Sequence, residues 1–235
     1  MLAANRDEFH ARPTAALSWW DWPGGPLAGR DEQAGGTWMA VGRGGRFAAI
    51  TNFRDPAAGS GDRSRGELPL AWLEWNGAIG EFARGLYADR GQWGAFNLVF
   101  GDMDQLWVVG THTEPAEVTH GTHALSNHLL DTPWPKSIRA VRRMEDWLET
   151  GRGDVDGLLD LLDDRRPAAD HELPDTGVGP ELESMLSPPF IVSDRYGTRS
   201  SSALLLGPSI TIAERIFDPT GATIGERTFS WRREN

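Results

Sequence analysis

The chain has 235 residues, 39% of them hydrophobic and 24% charged, a composition typical of globular proteins and not of disordered or fibrous ones. Its 23 basic and 34 acidic residues give a formal net charge of −11, which disfavours binding to nucleic acid or to an anionic membrane surface. The sequence contains no cysteine, which removes disulfides, thiolate metal ligands and cysteine nucleophiles together. We find no apolar run of about 18 residues and no secretory signal, and therefore expect no membrane span and a cytoplasmic location.

Hydrophobic patterning predicts antiparallel hairpins with helices grouped between them. In chain order, the predicted elements are strands Thr37–Val41 and Arg46–Phe53, helices Leu68–Trp75 and Ala78–Asp89, strands Ala95–Phe100 and Gln105–Gly110, helices Pro135–Thr150 and Val155–Asp164, and strands Ser209–Phe217 and Ala222–Trp231. We expect Asp160, Asp163 and Asp164 to form a solvated face. No composition shift marks a domain boundary, so the sequence predicts a single α+β layered domain over residues 1–235.

Polar residues follow several apolar runs, at points where strands are expected to end. Asn5–Glu8 comes after the apolar stub at the N-terminus, Asn52 and Asn127 follow apolar segments, and Arg199 opens a strand. Each position is also consistent with an ordinary turn or a solvated strand end. Together, two asparagines, an arginine and Asp7 would supply oxyanion donors, a fixed positive charge and an orienting carboxylate, which is most of an acyl-transfer site without its nucleophile.

Longer motifs carry a family resemblance. They are NRDE at 5–8, RPT at 12–14, AGRD at 28–31, GGTW at 35–38, GRFAAITNFR at 45–54, LSN at 125–127, LDTPWPK at 130–136 and YGTRSS at 196–201. On these motifs the chain resembles the NRDE family, also called the transport and Golgi organisation protein 2 family, from Leu2 to about Trp231. Lys136, in the seventh motif, is the only lysine of the chain, so nearly all of its positive charge is arginine.

The resemblance extends in pattern to N-terminal-nucleophile hydrolases of the penicillin V acylase and bile-salt hydrolase branch. It implies a four-layer αββα sandwich and the hydrolysis of non-peptide C–N bonds by a mature N-terminal cysteine, whose own α-amine serves as the base. Transferred to this sequence, Asp7 orients the nucleophile, Asn52 and Asn127 belong to the oxyanion and substrate region, and Arg199 gives electrostatic support. We expect these four side chains to converge on one pocket.

Four further residues of the motifs are expected to contact substrate: Asn5, Arg6, Trp38 and Arg54. One position departs from the hydrolase pattern. The hydrolases carry an arginine before their asparagine, where this chain has Ala4, and Arg6 lies on the other side of Asn5.

The N-terminus departs more strongly from the family pattern. Family members usually open with Met-Cys, a strand, a turn and a second strand that ends in LAANRDE, whereas this sequence begins within that second strand. The first hairpin, roughly 15–20 residues at typical strand lengths, is therefore expected to be largely missing, together with the nucleophile. We expect the chain as written to be inactive, either because the assigned start lies too late or because the protein is a shortened, non-catalytic one.

The alternative function is non-catalytic. Eukaryotic members of the family are linked to secretory organisation and to mobilising haem between compartments, so a haem-handling, trafficking or small-molecule-binding protein is the second hypothesis. Axial imidazoles for haem could come from His112, His120, His123 and His128. We favour the simpler interpretation that these histidines lie at the polar ends of strands. No H-E-x-x-H spacing is present, so we expect no metal site and no cofactor other than haem as a candidate ligand. A small molecule is the expected partner, and the sequence does not indicate the oligomeric state.

Overall fold

The structure is a computed structural model that describes residues 1–22, 24–151 and 153–233. Within these residues the strands are β1 (Leu2–Phe9), β2 (Thr14–Trp19), β3 (Leu27–Asp31), β4 (Met39–Val41), β5 (Phe47–Asn52), β6 (Phe96–Gly101), β7 (Leu106–Gly110), β8 (Ala116–Glu117), β9 (Tyr196–Leu205), β10 (Ser209–Phe217) and β11 (Thr223–Arg232). The α-helices are α1 (Leu68–Glu74), α2 (Ile79–Ala88), α3 (Pro135–Glu149), α4 (Val155–Asp160) and α5 (Pro180–Met185). The fold is therefore mixed α+β, with two antiparallel sheets and few helices.

The chain forms two compact units, and each contains one of the sheets. Unit 1 comprises Met1–Arg12, Thr122–Ala124 and Leu130–Arg232, and unit 2 comprises Pro13–Gly121 and Leu125–Leu129 together with Arg233. Neither unit is a continuous stretch of sequence. The prediction of a single domain over residues 1–235 stays a prediction. None of the helices in the described ranges is long and apolar enough to cross a membrane.

The sheet of unit 1 has the strand order β1-β9-β10-β11, with neighbours antiparallel. The pairing of β1 with β9 is interrupted by a bulge. Arg6 lies opposite Ser200, but the next residue, Asp7, lies opposite Thr198, so that Arg199 is the extra residue of β9. Directly paired residues of an antiparallel sheet point to the same face, and the bulge therefore places the side chain of Thr198 beside that of Asp7.

Helices α3 and α4 cover one face of this sheet. Their apolar side chains pack against small residues of β9 and β10, an arrangement that lets a helix approach the strands closely. The buried members of this cluster are Trp147, Leu158, Leu159, Leu161, Ala203 and Ala213. The amphipathic pattern read from the sequence for Pro135–Thr150 corresponds to α3, which begins at Pro135 as predicted.

The sheet of unit 2 has seven strands in the order β2-β3-β4-β5-β6-β7-β8. Helix α1 packs against β4, β5 and β6, and helix α2 packs against β7. The core between helices and sheet is dominated by large aromatic and aliphatic side chains, namely Leu68, Trp72, Phe82, Leu86, Trp93, Phe96, Leu98, Phe100 and Val109. A tight hairpin connects β6 to β7, and both of its strands agree with the sequence prediction to within one residue at each end.

Some expectations need correction. Asp164 is not part of a solvated face: its side chain is 2% exposed and lies between Arg139 and Arg166. Asp160 and Asp163 do remain accessible, with side chains 66% and 43% exposed. The predicted helix over 155–164 ends at Asp160, so Asp164 belongs to the loop beyond it, where the two arginines can reach it.

Candidate functional site

Asp7 of β1 is held by a hydrogen bond from the neighbouring strand. The hydroxyl of Thr198, which is buried, donates to Asp7 Oδ1 at 2.6 Å, and the same hydroxyl oxygen accepts a hydrogen bond from the backbone N–H of Ile191 at 2.9 Å. The N–H of Thr198 also donates to the carbonyl of Ile191 at 2.9 Å. Because the hydroxyl has one proton and already accepts the amide proton, its own proton is directed at the carboxylate.

The surroundings of Asp7 shift the ionisation of its carboxyl to higher pH. Burial raises the pKa of the Asp7 carboxyl, and this effect outweighs the hydrogen bond from Thr198 and the positive charges of Lys136 and Arg6, all of which lower that pKa. Asp7 Oδ2 has no hydrogen-bond partner within the part of the chain that the structure describes. One oxygen of the carboxyl is therefore fixed by Thr198, while the other makes no hydrogen bond to the described residues.

Arg199 holds the turn that follows β1. Its Nη1 donates to the carbonyl oxygens of Phe9, His10 and Arg12 at 3.0, 3.1 and 3.3 Å. These three contacts fix the chain just beyond Asp7. Arg199 therefore fixes the end of β1 and the turn that follows it.

Asn5 is tied into the protein by its whole side-chain amide. Its Nδ2 donates to the carbonyl oxygens of Leu162 and Pro189 at 3.1 and 2.9 Å, and its Oδ1 accepts a hydrogen bond from the hydroxyl of Ser201 at 2.6 Å. Both amide protons are used, so Asn5 joins β1 to two loops and to β9. Its assignment as a substrate-contacting residue stays a prediction, and the contacts described here are structural.

Two further basic residues belong to this part of unit 1. Arg6 is 8% exposed and lies opposite Ser200, on the face of the sheet opposite to Asp7. Lys136, at the first turn of α3, donates from Nζ to the carbonyl of Leu186 at 3.2 Å, and the Nζ lies 5.8 Å from the centre of the Trp134 ring. Lys136 was not among the predicted site residues, although it is the only lysine of the chain.

Asn52 and Asn127 are brought together in unit 2. Asn127 Nδ2 donates to the carbonyl of Asn52 at 3.1 Å, and the N–H of Arg54 donates to the carbonyl of Asn127 at 2.7 Å. The side-chain amide of Asn52 is exposed, and within the described ranges no hydrogen bond engages it. The convergence of all four predicted site residues on one pocket stays a prediction.

The segment that carries Asn127 is anchored to the sheet by two paired residues. Thr51 and Asn97 lie opposite each other on β5 and β6, so their side chains share a face. Thr51 Oγ1 donates to the carbonyl of Ser126 at 3.0 Å, and Asn97 Nδ2 donates to the carbonyl of His128 at 2.8 Å. Asn97 is fully buried, which makes this anchor costly to remove.

Trp38, another predicted substrate contact, packs against the backbone of β3. A methyl group built on Gly29 would lie 2.3 Å from Trp38 Cη2, so the indole occupies the space that any side chain at Gly29 would need. Trp38 remains partly accessible. The glycine of the AGRD motif is thus explained by the packing of the tryptophan of the GGTW motif.

The histidines proposed as haem ligands have carboxylate partners in two cases. His112 Nε2 lies 3.0 Å from Asp55 Oδ2 in unit 2, and His123 Nδ1 lies 2.6 Å from Asp131 Oδ2 in unit 1. Among the residues that the structure describes, no group of three or more His, Asp or Glu side chains could hold a metal ion. The haem-ligand assignment is not tested by these contacts.

The side-chain partners of Asp7 and Asn5 were not predicted from the sequence. Thr198 stands next to Arg199 in the YGTRSS motif, but which of the two faces Asp7 depends on the bulge. No local pattern signals that bulge. The carbonyls that Asn5 binds lie more than 150 residues away along the chain.

Comparisons with known proteins agree over nearly the whole chain. Residues 1–219 match the family described as Transport and Golgi organisation 2. The Transport and Golgi organization protein 2 homolog of Bos taurus is 31% identical over an alignment of 243 positions, which covers 94% of this chain and 88% of that protein. The Homo sapiens homolog is also 31% identical, over 239 positions that cover 92% and 85%. The chain therefore belongs to the Transport and Golgi organisation 2 family.

Proposed function

We propose that this protein has a site like that of the N-terminal-nucleophile hydrolases, which recognises small molecules through a non-peptide amide bond. The observation that carries the proposal is the state of Asp7. One carboxyl oxygen is fixed by Thr198 at 2.6 Å, the other has no hydrogen-bond partner among the described residues, and burial raises the pKa of the group. A carboxyl with a raised pKa and one open oxygen is suited to orient a reacting group by hydrogen bonding.

The other predicted residues have roles that follow from their contacts. The exposed amide of Asn52 can donate to a developing oxyanion, and Asn127 fixes the Asn52 backbone by its own hydrogen bond. Arg199 positions the end of β1 through three carbonyl contacts. In the proposed mechanism a thiol, which residues 1–235 do not supply, gives up its proton as its sulfur bonds to the amide carbon, and the donors stabilise the charge on the oxygen. The C–N bond then breaks and the amine leaves with that proton. A water molecule finally cleaves the thioester, which releases the acid and restores the thiol.

We also propose the αββα sandwich as the architecture of residues 1–235. Two features support it. Each unit contains one antiparallel sheet, and in each unit helices pack against that sheet.

The 235 residues contain no cysteine, so the first test is binding. Isothermal titration with penicillin V, a glycine-conjugated bile acid and an acyl-homoserine lactone should detect at least one ligand whose affinity falls tenfold or more in Asp7→Ala and in Asn52→Ala. Asp194→Ala, which removes an exposed carboxylate of unit 1, is the matched control and should bind as the parent does. Equal affinity in the parent and in Asp7→Ala would contradict the proposal.

A second experiment asks for turnover. A version extended before residue 1 by a cysteine-bearing strand is incubated with the ligand identified by titration, beside the same version with that cysteine changed to alanine. Release of the amine by the first version alone supports amide hydrolysis. Binding without amine release in either version would limit the site to recognition.

A further inference from the structure

A second pair of titratable side chains lies in unit 2, among residues that the proposed function does not use. His112 follows β7, and its Nε2 is 3.0 Å from Asp55 Oδ2. The His112 side chain is 44% exposed and that of Asp55 is 25% exposed, so the pair is accessible to solvent and to small molecules.

The carboxylate partner fixes the tautomer of the imidazole. A carboxylate oxygen only accepts hydrogen bonds, so Nε2 of His112 carries the proton that it shares with Asp55. In the neutral ring Nδ1 is then unprotonated and basic. Among the described residues, Nδ1 has no hydrogen-bond partner.

Both members of the pair are held in place by further contacts. Asp55 Oδ1 accepts a hydrogen bond from the N–H of Ala57 at 2.9 Å, which orients the carboxylate. The imidazole of His112 packs against the ring of Phe53 with 4.5 Å between centroids, and the ring of His128 contacts the same phenyl ring at 5.1 Å. The carbonyl of His128 is anchored in turn by buried Asn97. The dyad is therefore supported by packing and by the sheet.

We propose that His112, positioned by Asp55, is the general base of a second hydrolytic centre that acts on small aryl esters. His112 Nδ1 removes a proton from a water molecule as its oxygen bonds to the ester carbon. The tetrahedral intermediate then expels the phenolate, and the imidazolium returns its proton to that leaving group. One ester and one water thus give one acid and one phenol, and no nucleophile from the protein is consumed.

The substrate class follows from the surroundings. The partly exposed phenyl ring of Phe53 beside His112 offers an apolar surface for an aryl group. An aryl ester also has a good leaving group, so a base without a dedicated oxyanion hole suffices. The amide site proposed above is not required for this reaction, and the two proposals can fail separately.

The test is hydrolysis of p-nitrophenyl acetate and p-nitrophenyl benzoate by the whole chain. His112→Ala and His112→Gln should each lower the rate above background at least tenfold, within the range of about 10²–10⁴-fold that general-base catalysis supplies. Asp55→Asn should lower it as well, with an unchanged melting temperature. His171→Ala, which removes an exposed histidine of unit 1, is the control and should keep the parent rate.

Two measurements separate this mechanism from simple acylation of a surface histidine. General-base attack by water predicts a rate two- to threefold slower in D₂O. Nitrogen-15 NMR of the parent should show the neutral His112 ring protonated at Nε2. An unaltered rate in His112→Ala, a solvent isotope effect near one, or a ring protonated at Nδ1 would each overturn the proposal, and the NMR result does not depend on any variant folding.

Discussion

Thr198 and Asp7, 191 residues apart in sequence, are joined by a side-chain hydrogen bond of 2.6 Å. The contact exists because a bulge in β9 moves Arg199 out of the position opposite Asp7 and puts Thr198 there. The NRDE segment and the YGTRSS segment are thus two halves of one arrangement. The carboxyl belongs to the first segment, and the hydroxyl that donates to it belongs to the second, together with the bulge that sets the two in register.

Thr198→Val tests this contact with little change in shape. The valine removes the hydroxyl, so Asp7 loses its donor and the buried N–H of Ile191 loses an acceptor. We expect the free energy of unfolding to fall by about 1–3 kcal/mol, the usual cost of leaving a buried polar group unpaired. Urea denaturation followed by circular dichroism measures it. Thr198→Ser keeps the hydroxyl and should lose much less; equal losses in both variants would contradict a specific stabilising role of the hydroxyl.

Because the pKa of Asp7 is raised, its contribution to the free energy of unfolding should depend on pH. Burial keeps the carboxyl protonated in the folded state above the pH, about 3.9, at which it ionises in the unfolded chain. Between the pKa of Asp7 in the unfolded chain and its higher pKa in the folded protein, the folded state binds more protons than the unfolded state. This contribution to stability is therefore complete below the unfolded pKa and is lost as the pH rises through the folded pKa.

Asp7→Asn lacks this titration and keeps an oxygen for Thr198. We therefore expect the variant to be more stable than the parent at pH 7, with the difference shrinking as the pH approaches 4. Urea denaturation at intervals between pH 4 and pH 8 provides the comparison. A variant that is less stable than the parent at pH 7 would show that the ionised carboxylate is favourably solvated in its site.

The sequence predicted those parts of the fold that depend on local pattern. The hairpin of β10 and β11 lies within one residue of the predicted strands at each end, because alternation and the Asp-Pro-Thr-Gly turn are both local signals. The helix that begins at Pro135 was confirmed for the same reason. Strands β2 and β3 were not predicted, since segments of five or six residues acquire strand pairing only from their neighbours in the sheet.

The candidate site was predicted by residue type and not by contact. Asp7 was expected at the end of a strand or in a solvated turn; it lies within β1, and its partner depends on a bulge between two distant segments. Asp164 was placed on a solvated face because it closes an acidic run. Its burial depends on Arg139 of α3 and on Arg166. Both arginines lie outside residues 155–164, so the hydrophobic pattern of that segment could not predict the contacts.

Asn5 should be important for folding, whatever its role toward a ligand. Asn5→Ala leaves the carbonyls of Leu162 and Pro189 and the hydroxyl of Ser201 without their partner. We expect a loss of about 2–3 kcal/mol in the free energy of unfolding, measured by thermal and urea denaturation. Asn76→Ala is the control. Its side chain makes one exposed contact, with the carbonyl of Glu74, so the change should stay within about 0.5 kcal/mol. A similar small effect at Asn5 would refute its anchoring role.

Asp164 predicts a pH dependence opposite in sign to that of Asp7. The two-point hydrogen bond from Arg166, aided by Arg139, lowers the pKa of the Asp164 carboxyl from 3.8 to about 2. As the pH falls, Asp164 is therefore protonated in the unfolded chain at a higher pH than in the folded protein. The stabilisation is complete above the unfolded pKa and is lost as the pH falls through the folded value.

Asp164→Asn should therefore be less stable than the parent at pH 7 and should approach it below about pH 3. The difference at pH 7 is at most on the order of 2 kcal/mol, because Arg166 is 76% exposed and solvent screens its charge. Asp163→Asn, at a side chain 43% exposed, is the matched control and should change stability by less than about 0.5 kcal/mol. Urea denaturation of both variants between pH 2.5 and pH 7 measures the effect. A constant difference across that range would mean that Asp164 stabilises through shape and hydrogen bonding, and not through its charge.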